Sequence, residues 1–153
     1  EHLDIAQRRL KVSQDARVED AVERIDAMNG AGMALMYVGE YGQALALLHE
    51  PEAQAARVKA IGQQATAIGL QCQCWFRLDQ WEQVLAAEGR WRDLENRYSR
   101  SRVGATCFFV ALSASVHAMR GDQELASVHA NESFDYMISV SGPVAEWQRN
   151  QFY

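Results

Sequence analysis

Apolar residues recur every three or four positions along most of the chain, which is the spacing of one face of an α-helix. One such series is Ile25, Met28, Gly32 and Leu35. Runs of alternating apolar and polar residues between Asn-Gly or Asp-Gly turns, the signature of β-hairpins, are absent from the sequence. The pattern predicts an all-α protein, with helices near residues 3–13, 17–38, 40–49, 52–78, 80–97, 102–120, 122–139 and 144–153.

The same apolar series occurs three times, at separations of 40 and 42 residues. Its later copies are Ala65, Ile68, Cys72, Trp75 and then Cys107, Val110, Ala114, His117. The third member of each copy is small, which lets a second helix approach closely. After each copy comes a turn, at Gly39, Asp79 and Gly121, and then a second helical stretch. We therefore expect a single domain over residues 1–153 that consists of three antiparallel helix pairs, near residues 17–50, 52–97 and 102–139.

Residues near the predicted helix ends support these boundaries. Asp79 followed by Glu82 predicts a capping box at the start of a helix. Pro51 and Pro143 suit the first turn of a helix, where a missing amide proton costs nothing. Gly121 followed by Asp122 predicts that one helix ends and the next begins there.

A helix pair with a small residue midway along its first helix, a Gly-x-Tyr turn at Gly39–Tyr41 and Ala44 early in its second helix resembles the tetratricopeptide repeat family. The resemblance covers about residues 18–139. The units are longer than the 34 residues typical of that family. They are more similar to the long-helix variants found in bacterial multidomain regulators. The resemblance implies a right-handed α-α superhelix of about three antiparallel pairs, with about seven or eight helices in all.

Length and charge limit the classes of function. The 153 residues suit one globular domain, and the first and last residues, Glu1 and Tyr153, suggest a piece cut from a longer protein. A net charge of −5 disfavours direct nucleic-acid binding. The apolar runs, such as 108–112, are far shorter than the roughly 20 residues that span a membrane. The three cysteines lie within helical patterns, which favours a reducing, cytoplasmic location.

The sequence offers no pattern for an active site, a metal site or a cofactor site. Cys72 and Cys74 are two residues apart and would point about 200° apart on a helix, so they could not share one ion. None of the four histidines has the neighbours of a metal or nucleophilic site. His117 replaces Leu35 and Trp75 on the inward stripe, and both a packed residue and a pH switch fit it. We expect a protein that is not an enzyme and has neither metal nor cofactor.

The arginine-rich stretch at residues 90–102, RWRDLENRYSRSR, has two interpretations. Arg97, Arg100 and Arg102 could bind an anion or an acidic partner beside the start of the next helix. The alternative is a solvated helix end with pairs such as Asp93 and Arg97 along one helix face.

The resemblance implies that a partner binds on the concave face, which the first helix of each pair lines. The matching positions are Asn29, Met33, Met36 and Tyr37, then Gln73, Phe76 and Arg77, then Ala111, Ser115 and Met119. The function expected first is a non-catalytic scaffold for a peptide or protein segment. The alternative is a regulatory or sensor module of a larger bacterial signalling or transcriptional regulator, in contact with other domains of its own chain. Apolar end faces would also permit a homodimer.

Overall fold

The computed structural model describes residues 2–13, 20–98 and 106–139, and these ranges contain helices and no strand. The prediction of an all-α chain is confirmed. The helices are α1 (His2–Ser13), α2 (Ala21–Tyr37), α3 (Tyr41–Val58), α4 (Ile61–Arg77), α5 (Trp81–Arg97), α6 (Thr106–Met119) and α7 (Gln123–Ser139). The helix predicted at 144–153 lies outside the described residues.

The helices form two sets. Each helix packs against the next one in the chain, and α2, α4 and α6 also contact one another in succession. Within the described ranges, α3 and α5 have no Cα pair within 8 Å, and neither have α5 and α7. The helices α2, α4 and α6 therefore lie side by side as one layer, and α3, α5 and α7 lie outside them.

The turns after α2, α4 and α6 have the same backbone geometry. Their central residues have positive φ: 87° at Gly39, 56° at Asp79 and 83° at Gly121. The next amide donates to the carbonyl five residues back in each case, in the pairs Glu40 to Leu35 (3.0 Å), Gln80 to Trp75 (2.9 Å) and Asp122 to His117 (2.9 Å). This is the Schellman arrangement that ends many helices. The turn after α3 has the same geometry, with a φ of 58° at Lys59 and the Ala60 amide donating to the Ala55 carbonyl at 2.9 Å, so the arrangement is common to four helix ends of the described residues.

The predicted capping box at Asp79 is wrong. Asp79 adopts the left-handed conformation that closes α4, so it is not the N-cap of α5. Gln80 is the N-cap residue, and its side chain makes no capping hydrogen bond. The side-chain caps lie elsewhere, where Asp20 accepts from the Val22 amide at 2.7 Å and Asp122 accepts from the Leu125 amide at 3.1 Å. A left-handed aspartate costs free energy that the glycines at the other two turns avoid.

The helix boundary predicted at Pro51 is also wrong. The helix α3 continues through Pro51, whose side chain is fully buried. The break falls instead at Lys59, which has a φ of 58° and precedes α4. Proline removes one helical hydrogen bond. Burial of the ring among packed helices offsets that loss, whereas nothing in the local sequence marks Lys59 as a turn.

The core lies between the helix layers. Trp91 of α5 stacks on Phe109 of α6, with ring centroids 5.8 Å apart. Glycine allows two close helix approaches: a Cβ on Gly32 would lie 2.5 Å from Leu48 of α3, and one on Gly69 would lie 2.8 Å from Phe109. The small residue predicted at Gly32 thus has the expected role in the packing of a helix pair. Among the described residues, no helix combines the length and apolar content that crossing a bilayer would require.

Candidate functional site

The last turns of α2, α4 and α6 expose three side chains at equivalent positions. Tyr37, Arg77 and Met119 each precede the positive-φ turn residue by two positions, and Tyr37 and Met119 are 55% and 50% exposed. Val38 and Leu78 beside them are also exposed. Because α2, α4 and α6 contact one another in succession, the three positions follow one another across the layer.

A second row lies one helical turn earlier on the same helices. Met33 and Gln73 are half-buried and Ser115 is exposed, with its hydroxyl donating to the Ala111 carbonyl at 3.0 Å. We call the six residues of the two rows, Tyr37, Arg77, Met119, Met33, Gln73 and Ser115, the helix-end surface. All six were among the positions that the sequence predicted for partner binding.

Four other predicted positions take part in helix packing. The Asn29 side chain is 3% exposed, and its amide nitrogen donates to the Gln63 carbonyl and side-chain oxygen of α4 at 3.1 and 3.2 Å. Met36 is 8% exposed within an apolar cluster. Phe76 is half-buried against the core, and Ala111 is half-buried in α6. Asn29 and Met36 therefore hold helices together and offer little surface to a partner.

Arg77 is the one charged residue of the helix-end surface. It is exposed, and it forms no ion pair within the described part of the chain. Tyr37 and Met119, at the equivalent positions of the two adjacent helices, have large, uncharged side chains. The surface therefore combines apolar contact area with a single unpaired positive charge at its centre.

A polar cluster joins α3, α4 and α5. The Gln71 side chain is fully buried, and its amide nitrogen donates to the Leu48 carbonyl at 2.9 Å and to Glu52 at 2.8 Å. Arg90 donates to Glu52 at 3.2 Å and to the Gln71 oxygen at 3.3 Å, with its guanidinium over the Trp75 ring. Each polar group is satisfied by another. The cluster therefore holds α3, α4 and α5 together.

A second polar cluster joins α5 and α7. Arg92 donates through two nitrogens to the Glu132 carboxylate at 3.0 and 2.8 Å, and it also donates to the buried Glu88 at 2.7 Å. The hydrogen bond that Arg92 donates to Glu132 is the main reason that the pKa of Glu132 lies below its usual value. The same hydrogen bond is the main reason that the pKa of Arg92 is raised. His129 lies 3.7 Å from Glu88 and edge-on to His117.

Sequence reasoning missed both clusters. Arg92 and Glu88 are four residues apart on α5, but the other partners lie 19 to 40 residues apart on different helices, where no local spacing brings them together. Glutamate and arginine at these positions look like ordinary solvated residues of a helix face. The signal available was indirect: Glu88 and Gln71 lie among the apolar positions of α5 and α4, where a polar residue needs a partner.

The predicted anion site is described only in part. Arg97 is exposed in the last turn of α5. Arg100 and Arg102 lie outside the described residues. The anion site at residues 97–102 therefore stays a prediction.

Cysteine chemistry and metal binding find no support in the described ranges. No three residues among the histidines, cysteines and acids of these ranges are grouped to hold a metal ion. Cys72 and Cys74 are buried free thiols on α4. Burial raises the pKa of Cys72 to about 12 and that of Cys74 to about 11. Both thiols stay protonated at neutral pH and are poor nucleophiles.

Alkylation should distinguish the folded and unfolded thiols. With iodoacetamide at about pH 8, we expect the tryptic peptide covering residues 60–77, which holds both Cys72 and Cys74, to stay unmodified in the native protein. The same peptide should react once the protein is unfolded in guanidinium, because the thiols regain an ordinary pKa in water. Mass spectrometry of that peptide measures the two rates. Equal rates in the two states would contradict the burial of these thiols.

Comparisons of this chain with protein-family models, with curated proteins and with solved structures each found no match.

Proposed function

We propose that this chain is a non-catalytic scaffold that binds a peptide or protein segment across the helix-end surface. In this proposal, α2–α3, α4–α5 and α6–α7 are three successive units of a right-handed superhelix similar to tetratricopeptide repeats. The observation that supports the repeated arrangement is that the first helices of the pairs pack on one another in succession.

The observation that carries the proposal is the exposure of Tyr37, Arg77 and Met119 at equivalent positions of three adjacent helices. Large side chains such as tyrosine and methionine normally contribute most of their area to a core. Here they are about half exposed on the layer that a superhelix of this type turns toward its ligand. Methionine adapts its shape to varied apolar partners, and tyrosine supplies rigid contact area with a polar end.

The chemistry of the surface indicates the kind of segment that would bind. An extended segment that crosses the three helices would meet Tyr37, then Arg77, then Met119. A carboxylate at its centre would pair with Arg77, and apolar side chains on either side would cover Tyr37 and Met119. The guanidinium fork favours a carboxylate over other acceptors.

The test begins with a random peptide library displayed on phage and selected on the immobilised protein. The best peptides are then synthesised with a fluorescent label, and their affinities are measured by anisotropy. We expect Arg77→Glu to weaken binding at least about tenfold, since reversing the charge replaces an attraction by a repulsion. Lys11→Glu makes the same charge change at an exposed position of α1 and should leave the affinity unchanged.

Either of two outcomes would reject this assignment. The library yields no peptide that binds, or the selected peptides bind Arg77→Glu and Tyr37→Ala as tightly as the wild-type protein. In the second case the peptides occupy another surface.

A regulatory or sensor module of a larger regulator is the second candidate function, and a cleft between α1, α2 and α3 favours it. The cleft has a volume of about 680 Å³, which is within the range of small-molecule sites. Its lining combines apolar, polar and charged side chains, and these include Leu10, Met28, Leu47, Val58, Gln54, Arg24, Glu50 and Arg57. A metabolite that raises the melting temperature of the wild-type protein and of Arg77→Glu equally would support this function over the scaffold.

A further inference from the structure

The cleft between α1, α2 and α3 lies where the core is built from small side chains. The buried members of one apolar cluster there are Ala31 and Ala34, and Leu10 and Leu47, which line the cleft, pack against them. The cluster that joins α4, α5 and α6 contains buried aromatic rings instead. Alanines fill less volume than aromatic rings, so the first three helices leave an open space of about 680 Å³ with an apolar wall.

The cleft is basic at one end. Ile25 and Met28 of α2 pack against Ala55 of α3, so the start of α2 lies beside the end of α3. This arrangement brings Arg24 and Arg57, which both line the cleft, to the same end of it. Arg57 is exposed and has no ion pair with any described residue. A guanidinium group offers a fork of N–H donors that matches the two oxygens of a carboxylate.

The other end of the cleft is apolar, with one acidic side chain beside it. Leu47 precedes Arg57 by ten residues on α3, which is about 15 Å along the helix axis. Leu10 of α1 belongs to the same apolar cluster as Leu47. Glu50 also lines the cleft, and one of its carboxylate oxygens accepts from Gln54 at 2.8 Å. A second negative charge on a ligand that extends from Arg57 toward Leu47 would therefore be repelled by Glu50.

We propose that this cleft binds an amphipathic monocarboxylate, with its carboxylate at Arg57 and its apolar chain against Met28 and Leu47. Arg57 selects the anionic group, and the apolar wall favours the chain because binding removes apolar area from water. Glu50 selects against dicarboxylates. The proposal rests on the second candidate function, the sensor module, and names the class of metabolite that it would bind. It does not depend on partner binding at the helix-end surface.

The test uses octanoate, below its micelle concentration, and NMR of the protein labelled with ¹³C in the methionine methyl groups. The chain has five methionines, and each resonance is identified by its absence in the corresponding leucine variant. Met28 lines the cleft, whereas Met33 and Met119 belong to the helix-end surface. We expect octanoate to shift the Met28 methyl resonance in a saturable way and to leave those of Met33 and Met119 unchanged.

Two compounds of the same chain length test the proposed selectivity. 1-Octanol keeps the apolar chain without the charge, and octanedioate adds a second carboxylate at the far end. We expect both to bind at least about tenfold more weakly than octanoate. Glu50→Gln removes the negative charge from the cleft, so it should abolish most of the difference between octanoate and octanedioate.

Arg57→Gln should weaken octanoate binding at least about tenfold, since it removes the proposed partner of the carboxylate. Arg120→Gln is the matched control. Arg120 lies in the turn after α6, away from the cleft, and pairs with the exposed Glu82 at 2.7 Å. The same charge change there should leave the affinity for octanoate within about twofold, because an exposed ion pair contributes little to the fold. Circular dichroism checks that both variants are folded.

The proposal fails if octanoate does not shift the Met28 resonance, if 1-octanol binds as tightly as octanoate, or if Arg57→Gln binds octanoate like the wild-type protein. These failures are distinguishable from failure of the sensor function. A library of neutral and cationic metabolites is tested by the same Met28 shift. A member that shifts Met28 where octanoate does not would keep the sensor function and reject the carboxylate. If neither octanoate nor any member of the library shifts Met28, both are rejected.

Discussion

Replacing Trp91 by alanine is expected to lower the free energy of unfolding by about 3 to 5 kcal/mol. The Trp91 side chain is 1% exposed and stacks on Phe109, so the substitution leaves a cavity between α5 and α6 and removes an aromatic pair. Both rings belong to the largest apolar cluster of the described residues, which joins α4, α5 and α6. Urea unfolding followed by circular dichroism at 222 nm measures the loss.

Tyr37→Ala is the control for this substitution. It removes an aromatic side chain of similar size at a site that is 55% exposed. We expect a change within about 0.5 kcal/mol, as for most surface substitutions. A loss of under about 1 kcal/mol for Trp91→Ala would contradict the packing described for α5 and α6. A large loss for Tyr37→Ala would show that Tyr37 is a core residue and would remove it from the helix-end surface.

Replacing Arg92 by alanine should have the second largest effect, a loss of about 2 to 4 kcal/mol. Glu88 is only 7% exposed, and the substitution would leave its carboxylate buried without its main cationic partner. The side chain of Arg92 is itself 34% exposed, so solvent screening places the value below that of a fully buried pair. The double variant Arg92→Met with Glu88→Gln removes both charges and should recover most of the loss.

The Arg92 effect should also depend on pH in a defined direction. The pKa of Glu132 is lowered in the folded state by Arg92, from an ordinary value of 4.5. Such a carboxylate stabilises the folded protein above its unfolded pKa, and that contribution is lost as the pH falls through the folded pKa. The difference in unfolding free energy between wild type and Arg92→Ala should therefore shrink as the pH is lowered below about 4.5. A constant difference over that range would contradict the Arg92–Glu132 pair.

The sequence predicts the structure well where the interactions are between residues close in the chain, and poorly where they are between residues far apart in it. The second helices of the pairs, α3, α5 and α7, begin within one residue of their predicted starts, because apolar periodicity and turn residues act over a few positions. Pro51 and Lys59 show the opposite case. The proline was read as a helix start from its local conformational preference, and burial in the assembled layer keeps α3 continuous through it. The break at Lys59 has no sequence signal at all.

The predicted partner-binding residues show the same contrast between local pattern and tertiary packing. Sequence matching placed ten residues on one face of the first helices, and six of them form the helix-end surface. Asn29 and Met36 share the periodicity of that face, yet the approach of α4 to α2 and the packing of α3 bury them. Periodicity identifies the side of a helix, whereas exposure depends on which neighbours cover that side.

The sequence by itself determined the all-helical class, the three equivalent turns and the small residue that lets α2 and α3 approach. These depend on backbone preferences and on spacing within about 20 residues, which can be read along the chain. Only the tertiary structure decided which polar residues meet in the Gln71 and Arg92 clusters, that Asp79 closes a helix rather than starting one, and that Phe109 of α6 packs against Gly69 and Trp91. Each of these depends on helices distant in sequence, whose relative positions follow from packing and not from local pattern.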